Sequence, residues 1–182
     1  GNTIAKTTKI TTINDFRSLD ISLNGQGAPL VPIGDLHLFS DYKYCINLGG
    51  FANISIKESK SITAFDVCPV NIVMNKLSQK LGEEYDGNGD FAKKGNLIPK
   101  LLETLNNLVF YHQRPPKSLG REWVEEFINP ILILTYKTED ILNTFCEHVA
   151  MQIGKHLIDK EVLFTGGGVY NQYLMSRIRN YS

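Results

Sequence analysis

Tyr44-Cys45-Ile46-Asn47-Leu48-Gly49-Gly50-Phe51-Ala52-Asn53-Ile54-Ser55-Ile56-Lys57 is the stretch whose reading decides the fold. Polarity alternates over Tyr44–Leu48 and again over 53–57. Side chains on a strand change face at every residue, so the stretch predicts two strands. Gly49-Gly50 between them predicts a tight turn with no Cβ to hold a ligand away. The polar run Lys57-Glu58-Ser59-Lys60 predicts a second turn, and residues 61–65 a third strand. Together they make an antiparallel meander over 44–65. It delivers Asp66 to a strand end, close to a proline and just before a helical stripe of Val70, Val73, Met74, Leu77 and Leu81. A bare turn able to approach phosphate, with one acid close by, points to phosphotransfer.

Working outward, Ile141, Leu142, Phe145, Val149, Ile153 and Leu157 share one helical face and predict the longest helix, within 138–159. Thr138 suits its N-cap, with Glu139 and Asp140 in the first turn. Glu161-Val162-Leu163-Phe164-Thr165 predicts a short buried strand, Gly166-Gly167-Gly168 ends it, and a helix starts near Asn171. Strand, glycine turn, helix is how many α/β folds seat a nucleotide, although a tight turn alone explains the same residues. Arg114-Pro115-Pro116-Lys117-Ser118-Leu119-Gly120-Arg121-Glu122 predicts a rigid loop leading into a helix around 123–127. Arg121 and Glu122 read either as solvated charges or as a pair. Leu97, Leu101, Leu102, Leu105 and Leu108 form another amphipathic stripe. Asp86-Gly87-Asn88-Gly89-Asp90 is a turn before a helix and not a calcium loop, having Phe91 where glycine is needed and Leu97 where glutamate is. Upstream, 10–13 predicts a short strand, 23–32 an ordered loop and 35–39 a short helix.

The 182 residues, 42% hydrophobic, suit one domain or slightly more. The 19 basic residues balance 19 acidic ones, and no basic cluster exceeds a lysine pair, which argues against nucleic acid as a partner. Cys45, Cys68 and Cys146 form no C-x-x-C pair and read as buried thiols in a reducing compartment. His37, His112, His148 and His156 form no metal-binding constellation, and no residue is read as a metal ligand. No apolar run approaches the roughly 20 residues of a bilayer span, and the N-terminus has no signal-peptide pattern. The expectation is a cytoplasmic protein without a membrane partner.

Taken together, several stretches resemble the anhydro-N-acetylmuramic acid kinase family. They are Asp15-Phe16-Arg17 with Asp20, Gly25-Gln26-Gly27-Ala28-Pro29-Leu30-Val31-Pro32, Asn47-Leu48-Gly49-Gly50-Phe51-Ala52-Asn53, Phe65-Asp66, Pro115-Pro116-Lys117-Ser118-Leu119-Gly120-Arg121-Glu122, and Gly166-Gly167-Gly168 with Asn171. They run in order through almost the whole chain. The resemblance implies an α/β, actin-like (ribonuclease H-like) sugar-kinase fold with a mixed sheet and flanking helices. It also implies ATP with Mg2+, and a sugar closed by a 1,6-anhydro bridge. One step opens the bridge with water at C1 and places the γ-phosphate on O6. Asp66 matches the catalytic base, which is the preferred reading; the alternative is that it merely caps the following helix. Gly49, Gly50 and Asn53 match a phosphate-contacting turn, and Gly166, Gly167, Gly168 and Asn171 the segment beside the adenosine. Gln26, Pro69 and Asn71 match the sugar pocket.

The sequence also departs from the family. Two glycines expected after Asp66 are Cys68 and Val70, which predicts a narrower pocket or an adjusted substrate. The family's Gly-Thr-Ser…Asp-Gly phosphate loop, its Ser-His-Gly-Gln-Thr segment and its last acidic helix are absent. The chain therefore reads as an internal piece: 1–40 a remnant of the first domain with its connector, 41–182 most of the second. The partners expected are the sugar, ATP and, in a homodimer, a second copy. A nucleotide- or sugar-binding module without catalysis, and a different actin-like sugar kinase, are the alternative readings.

Overall fold

Ile46 faces Ile54 across an antiparallel pair, as the alternation requires: β1 (Tyr44–Leu48) and β2 (Phe51–Lys57) form the hairpin, and β3 (Ile62–Pro69) continues the meander. β4 (Val162–Thr165) adds parallel to the free side of β1, giving the order β3-β2-β1-β4. An antiparallel meander extended by a parallel fourth strand is the mixed α/β, ribonuclease H-like arrangement expected. This computed structural model describes the chain except Gln26, Ala28, Pro29, Ser59, Lys60, Leu134, Thr135, Asp159, Lys160, Ser182 and the side chain of Ile133.

The core lies between the sheet and α8 (Thr138–Gly154), on which Ile141, Leu142, Phe145, Val149 and Ile153 are buried against Phe65 and its neighbours. Each such side chain contributes about 1.5–3 kcal/mol by leaving water, largely offset by ordering of the chain. α4 (Asn71–Gln79), α5 (Asp90–Lys94), α6 (Pro99–Asn106) and α9 (Gln172–Arg179) pack around α8. A single α-turn, α7 (Arg121–Trp123), widens into a π-turn at Val124–Ile128, where the Asn129 N–H reaches the Val124 carbonyl. Three short helices precede the sheet: α1 (Asn2–Thr8), α2 (Phe16–Ser22) and α3 (Pro32–Leu38). None buries a side chain, but α3 is held to β2 because Ser55 Oγ–H donates to Asp35 Oδ2 (2.6 Å) and Lys57 reaches the Asp35 carbonyl (3.0 Å).

Several local expectations need correction. Residues 10–13 find no strand to pair with and are not a strand. β3 does not stop at 65 but runs to Pro69. β4 is half-buried, not buried, because it lies at the sheet's edge. Thr138 is the first helical residue; Lys137 takes the N-cap position and makes no side-chain cap bond. Arg121 pairs with Glu125, one turn on, instead of Glu122. In the leucine stripe only Leu101 and Leu105 are fully buried, and Leu97 is exposed.

Candidate active site

β3 carries one residue more than β2 near the glycine hairpin. Ala52 faces Cys68 while Asn53 faces Asp66, so Val67 is a bulge, a device that re-aims neighbouring side chains. Lateral pairing then aligns Thr165, Asn47, Asn53 and Asp66 as one polar row across all four strands. Asn47 was not singled out from sequence. Its signal was an amide in the middle of an apolar strand, where asparagine is disfavoured.

Asp66 is only 7% exposed. Its N–H donates to the Lys117 carbonyl (3.1 Å), and its Oδ2 accepts the Leu119 N–H (2.8 Å). Oδ1 has no hydrogen-bond partner among the described residues, yet it is not sealed from solvent. Burial raises the carboxyl pKa above the usual carboxylate value, and the Leu119 bond works against that rise. A carboxylate with one oxygen tethered, the other without a partner among the described residues, and raised basicity is suited to proton abstraction. It lies three residues inside β3, not at the strand end, and Val70 holds the N-cap position of α4. The capping role is thereby excluded.

The two glycine turns meet around Leu48 and the start of α4. Val70 and Ile72 N–H donate to the Gly50 carbonyl (2.8 and 3.2 Å) and Asn71 N–H to the Gly49 carbonyl (3.3 Å). The first amides of α4 are therefore taken by the hairpin. Gly166 has φ 85°, and a Cβ on it would lie 2.7 Å from the Leu48 carbonyl oxygen; one on Gly168 would lie 2.7 Å from Leu48 Cβ. Those two are bare because the corner presses on Leu48. Gly49 is intermediate, with Asn47 Nδ2 3.2 Å from its added Cβ. Gly50 and Gly167 differ: among the described residues, added Cβ atoms would meet nothing nearer than Ile72 Cβ at 3.9 Å and Asn71 Nδ2 at 4.0 Å. Packing within the protein gives no reason for those two to be glycine.

Each of the two borders a cleft. Gly167 lines one of about 340 Å³ with Gly168, Asn171, Tyr85 and Tyr170; Gly50 lines one of about 550 Å³ with Lys76, Arg121 and Glu125. Both volumes are of ligand-site size. Asn71 and Asn75, one turn apart on α4, line both clefts, and Asn71 is steadied by its Nδ2–H donating to the Leu48 carbonyl (3.2 Å). Asn75, Tyr85 and Tyr170 were not anticipated; they belong to no sequence pattern, and only folding brings them together.

The expected site residues thus fall into groups. Gly167, Gly168 and Asn171 share the first cleft, Gly50 the second, and Asn71 both. Asn171 also caps α9, its Oδ1 accepting the Leu174 N–H (2.9 Å). Asn53 sits beside Asp66 on the sheet, not on the glycine turn. Pro69 is buried at the end of β3, and Gln26 lies outside the described residues. Cys68 and Val70 are fully buried in the core and line neither cleft, so they do not narrow these clefts. Among the described residues no group of three or more potential metal ligands occurs, and no helix is long and apolar enough to cross a membrane.

An α/β sheet thus carries two unfilled glycine corners over adjoining clefts, with a shielded acid on the neighbouring strand. The chain belongs to the anhydro-N-acetylmuramic acid kinase family, whose model matches residues 1–181. It is 36% identical over 190 residues to the anhydro-N-acetylmuramic acid kinase of Pseudomonas syringae pv. tomato (strain ATCC BAA-871 / DC3000), covering 96% of this chain and 52% of that protein. It is 35% identical over 195 residues to the protein of that name from Bacillus cereus (strain AH187), covering 97% and 51%. The chain spans about half the length of the curated relatives it matches. Component A of (R)-2-hydroxyglutaryl-CoA dehydratase from Acidaminococcus fermentans is a distant structural neighbour, with a TM-score of 0.45 and 16% identity over 82% of this chain and 56% of that one.

Proposed function

We propose that the full-length protein is an ATP-dependent kinase of 1,6-anhydro-N-acetylmuramic acid, acting in cytoplasmic peptidoglycan recycling on an actin-like fold. The observation that carries the nucleotide reading is the bareness of Gly50 and Gly167, which packing does not require and which faces two clefts joined along α4. The adenosine occupies the cleft of Gly167, Tyr85 and Tyr170, and the phosphates extend past Asn71 towards Gly50. With no cluster of metal-ligating side chains among the described residues, Mg2+ would be held chiefly by the phosphates, whose charge it would offset. Asp66 Oδ1 takes the proton of the water that opens the anhydro bridge at C1, while Oδ2 stays on the Leu119 N–H. As the water oxygen joins C1 the C1–O6 bond breaks, and O6 takes the γ-phosphoryl group from ATP with ADP as the leaving group.

Residues 41–182 then form the second domain and 1–40 a connector with part of the first. Supporting this division, every residue of the buried apolar core lies at or beyond Tyr44. With Cys68 and Val70 inside the core, the sequence gives no reason for a different sugar. The deciding experiment incubates the full-length protein with γ-labelled ATP and the anhydro sugar and looks for 6-phosphorylated, ring-opened product. Tight ADP binding without product would point instead to a binding module.

A further inference from the structure

Lys117 is a buried cation that the proposed reaction does not use. It is 7% exposed, and its ammonium makes one hydrogen bond, to the Phe110 carbonyl (3.1 Å). It lies over the Phe110 ring at 4.5 Å and the Phe65 ring at 5.9 Å. No carboxylate pairs with it among the described residues. Burial, with Lys155 close by, lowers its pKa. Desolvating an ammonium without a counter-ion is unfavourable, so this placement needs a compensating reason.

The geometry around it supplies one. Phe65, which Lys117 covers, is the residue before Asp66 in β3. The Lys117 carbonyl accepts the Asp66 N–H, and Leu119, two residues on, donates to Asp66 Oδ2. One short stretch therefore holds Asp66 by its peptide and by its carboxylate. Nζ ties that stretch to the 109–112 turn beneath it. We propose that Lys117 is a positioning residue for Asp66, its anchored ammonium fixing the 117–119 backbone that aims the carboxylate. The proposal rests on Asp66 being the general base. Loss of the anchor leaves the base present but poorly aimed, and small misplacements of reacting groups are costly.

The test uses the full-length protein with Lys117→Met, which keeps most of the packing but removes charge and donor. Lys117→Gln serves as the second variant should the first not fold. Turnover on the anhydro sugar is expected to fall about tenfold with the KM for ATP within about twofold, since a base and not a phosphate contact is disturbed. In an Asp66→Asn background the same change is expected to cost nothing further, because two residues acting as one unit are not additive. Hydrogen exchange of the peptide over 115–121 is expected to speed up, a readout that needs no kinase activity. Unchanged exchange, or an equal fall in turnover with and without Asp66, overturns the proposal. If Asp66→Asn itself retains activity while exchange still responds to Lys117, the anchor stands and the general-base reading fails.

Discussion

Alanine at Gly167 and at Gly168, neighbours in one turn, should have opposite consequences. At Gly168 the new methyl would lie 2.7 Å from Leu48 Cβ and 3.0 Å from the Leu48 carbonyl oxygen, and backbone cannot step aside as a flexible side chain does. Overpacking of this kind costs about 1–3 kcal/mol, and at roughly 2–4 °C per kcal/mol the Tm should fall by about 2–12 °C. At Gly167 the one neighbour within 4 Å among the described residues is Asn71 Nδ2, at 4.0 Å. Its methyl fits, and a less flexible unfolded chain favours the folded state by about 0.4–1 kcal/mol, so the Tm should hold or rise slightly. The methyl would, however, stand in the cleft proposed for adenosine, and ADP affinity should drop about tenfold or more. Thermal melts of the full-length protein with and without ADP read both effects, because at a fixed ligand concentration the rise in Tm grows with the logarithm of the affinity. If Gly167→Ala melts as early as Gly168→Ala, the packing comparison is wrong. If it binds ADP like the unmodified protein, the cleft is not the nucleotide site.

Gly50→Ala should likewise leave the Tm within a few degrees while raising the KM for ATP, measured by steady-state kinetics, since among the described residues its methyl meets only Ile72 Cβ. Asp66→Asn should reduce turnover about 10²–10⁴-fold with folding nearly unaffected, because the asparagine oxygen can still accept the Leu119 N–H. Retained activity on the anhydro sugar would remove Asp66 from the mechanism. His148 is fully buried, its Nδ1 facing Asn106 Oδ1 (2.8 Å) and its Nε2 the Tyr111 hydroxyl (3.0 Å). Burial, aided by Lys155, pushes its pKa down to about 3. The unfolded imidazole takes up a proton near pH 6.5 that the folded one refuses. Stability should therefore fall as pH drops from about 6.5 towards 3, by at most about 2 kcal/mol between pH 7 and 5 from this residue. Urea midpoints of His148→Gln should show a flatter slope over that window.

Much of this was legible in the residues. Alternation in 44–57 and the one-faced stripe of α8 are short-range signals, and both elements formed where they were expected. The end of β3 was not legible, because a bulge at Val67 prolongs a strand without altering any pattern of polarity. Nor could the sequence separate Gly167 from Gly166 and Gly168. The difference lies in the approach of Leu48, more than a hundred residues away in the chain and brought near by the parallel pairing of β1 with β4. Cys68 and Val70 read as lining the predicted ligand turn because they stand beside it in sequence; Cys68 lies near the end of β3 and Val70 at the N-cap of α4, and both are fully buried in the core. Residues 10–13 are β-branched enough to suggest a strand, but propensity without a pairing partner does not make one.

The parallel pairing bears also on how the chain is made. Thr165 Oγ1 donates to the Ile46 carbonyl across 119 residues of sequence, the two strands meeting only after every helix from α4 to α8 has been synthesised. At translation rates of about 5–20 residues per second, β1 waits roughly 6–24 s on the ribosome with one side of its backbone unpaired. During that interval the hairpin is a strand edge bearing apolar side chains, the template on which extended segments add. Neighbouring nascent chains on one message are the nearest such segments, so crowded polysomes are where this protein is most exposed to mispairing.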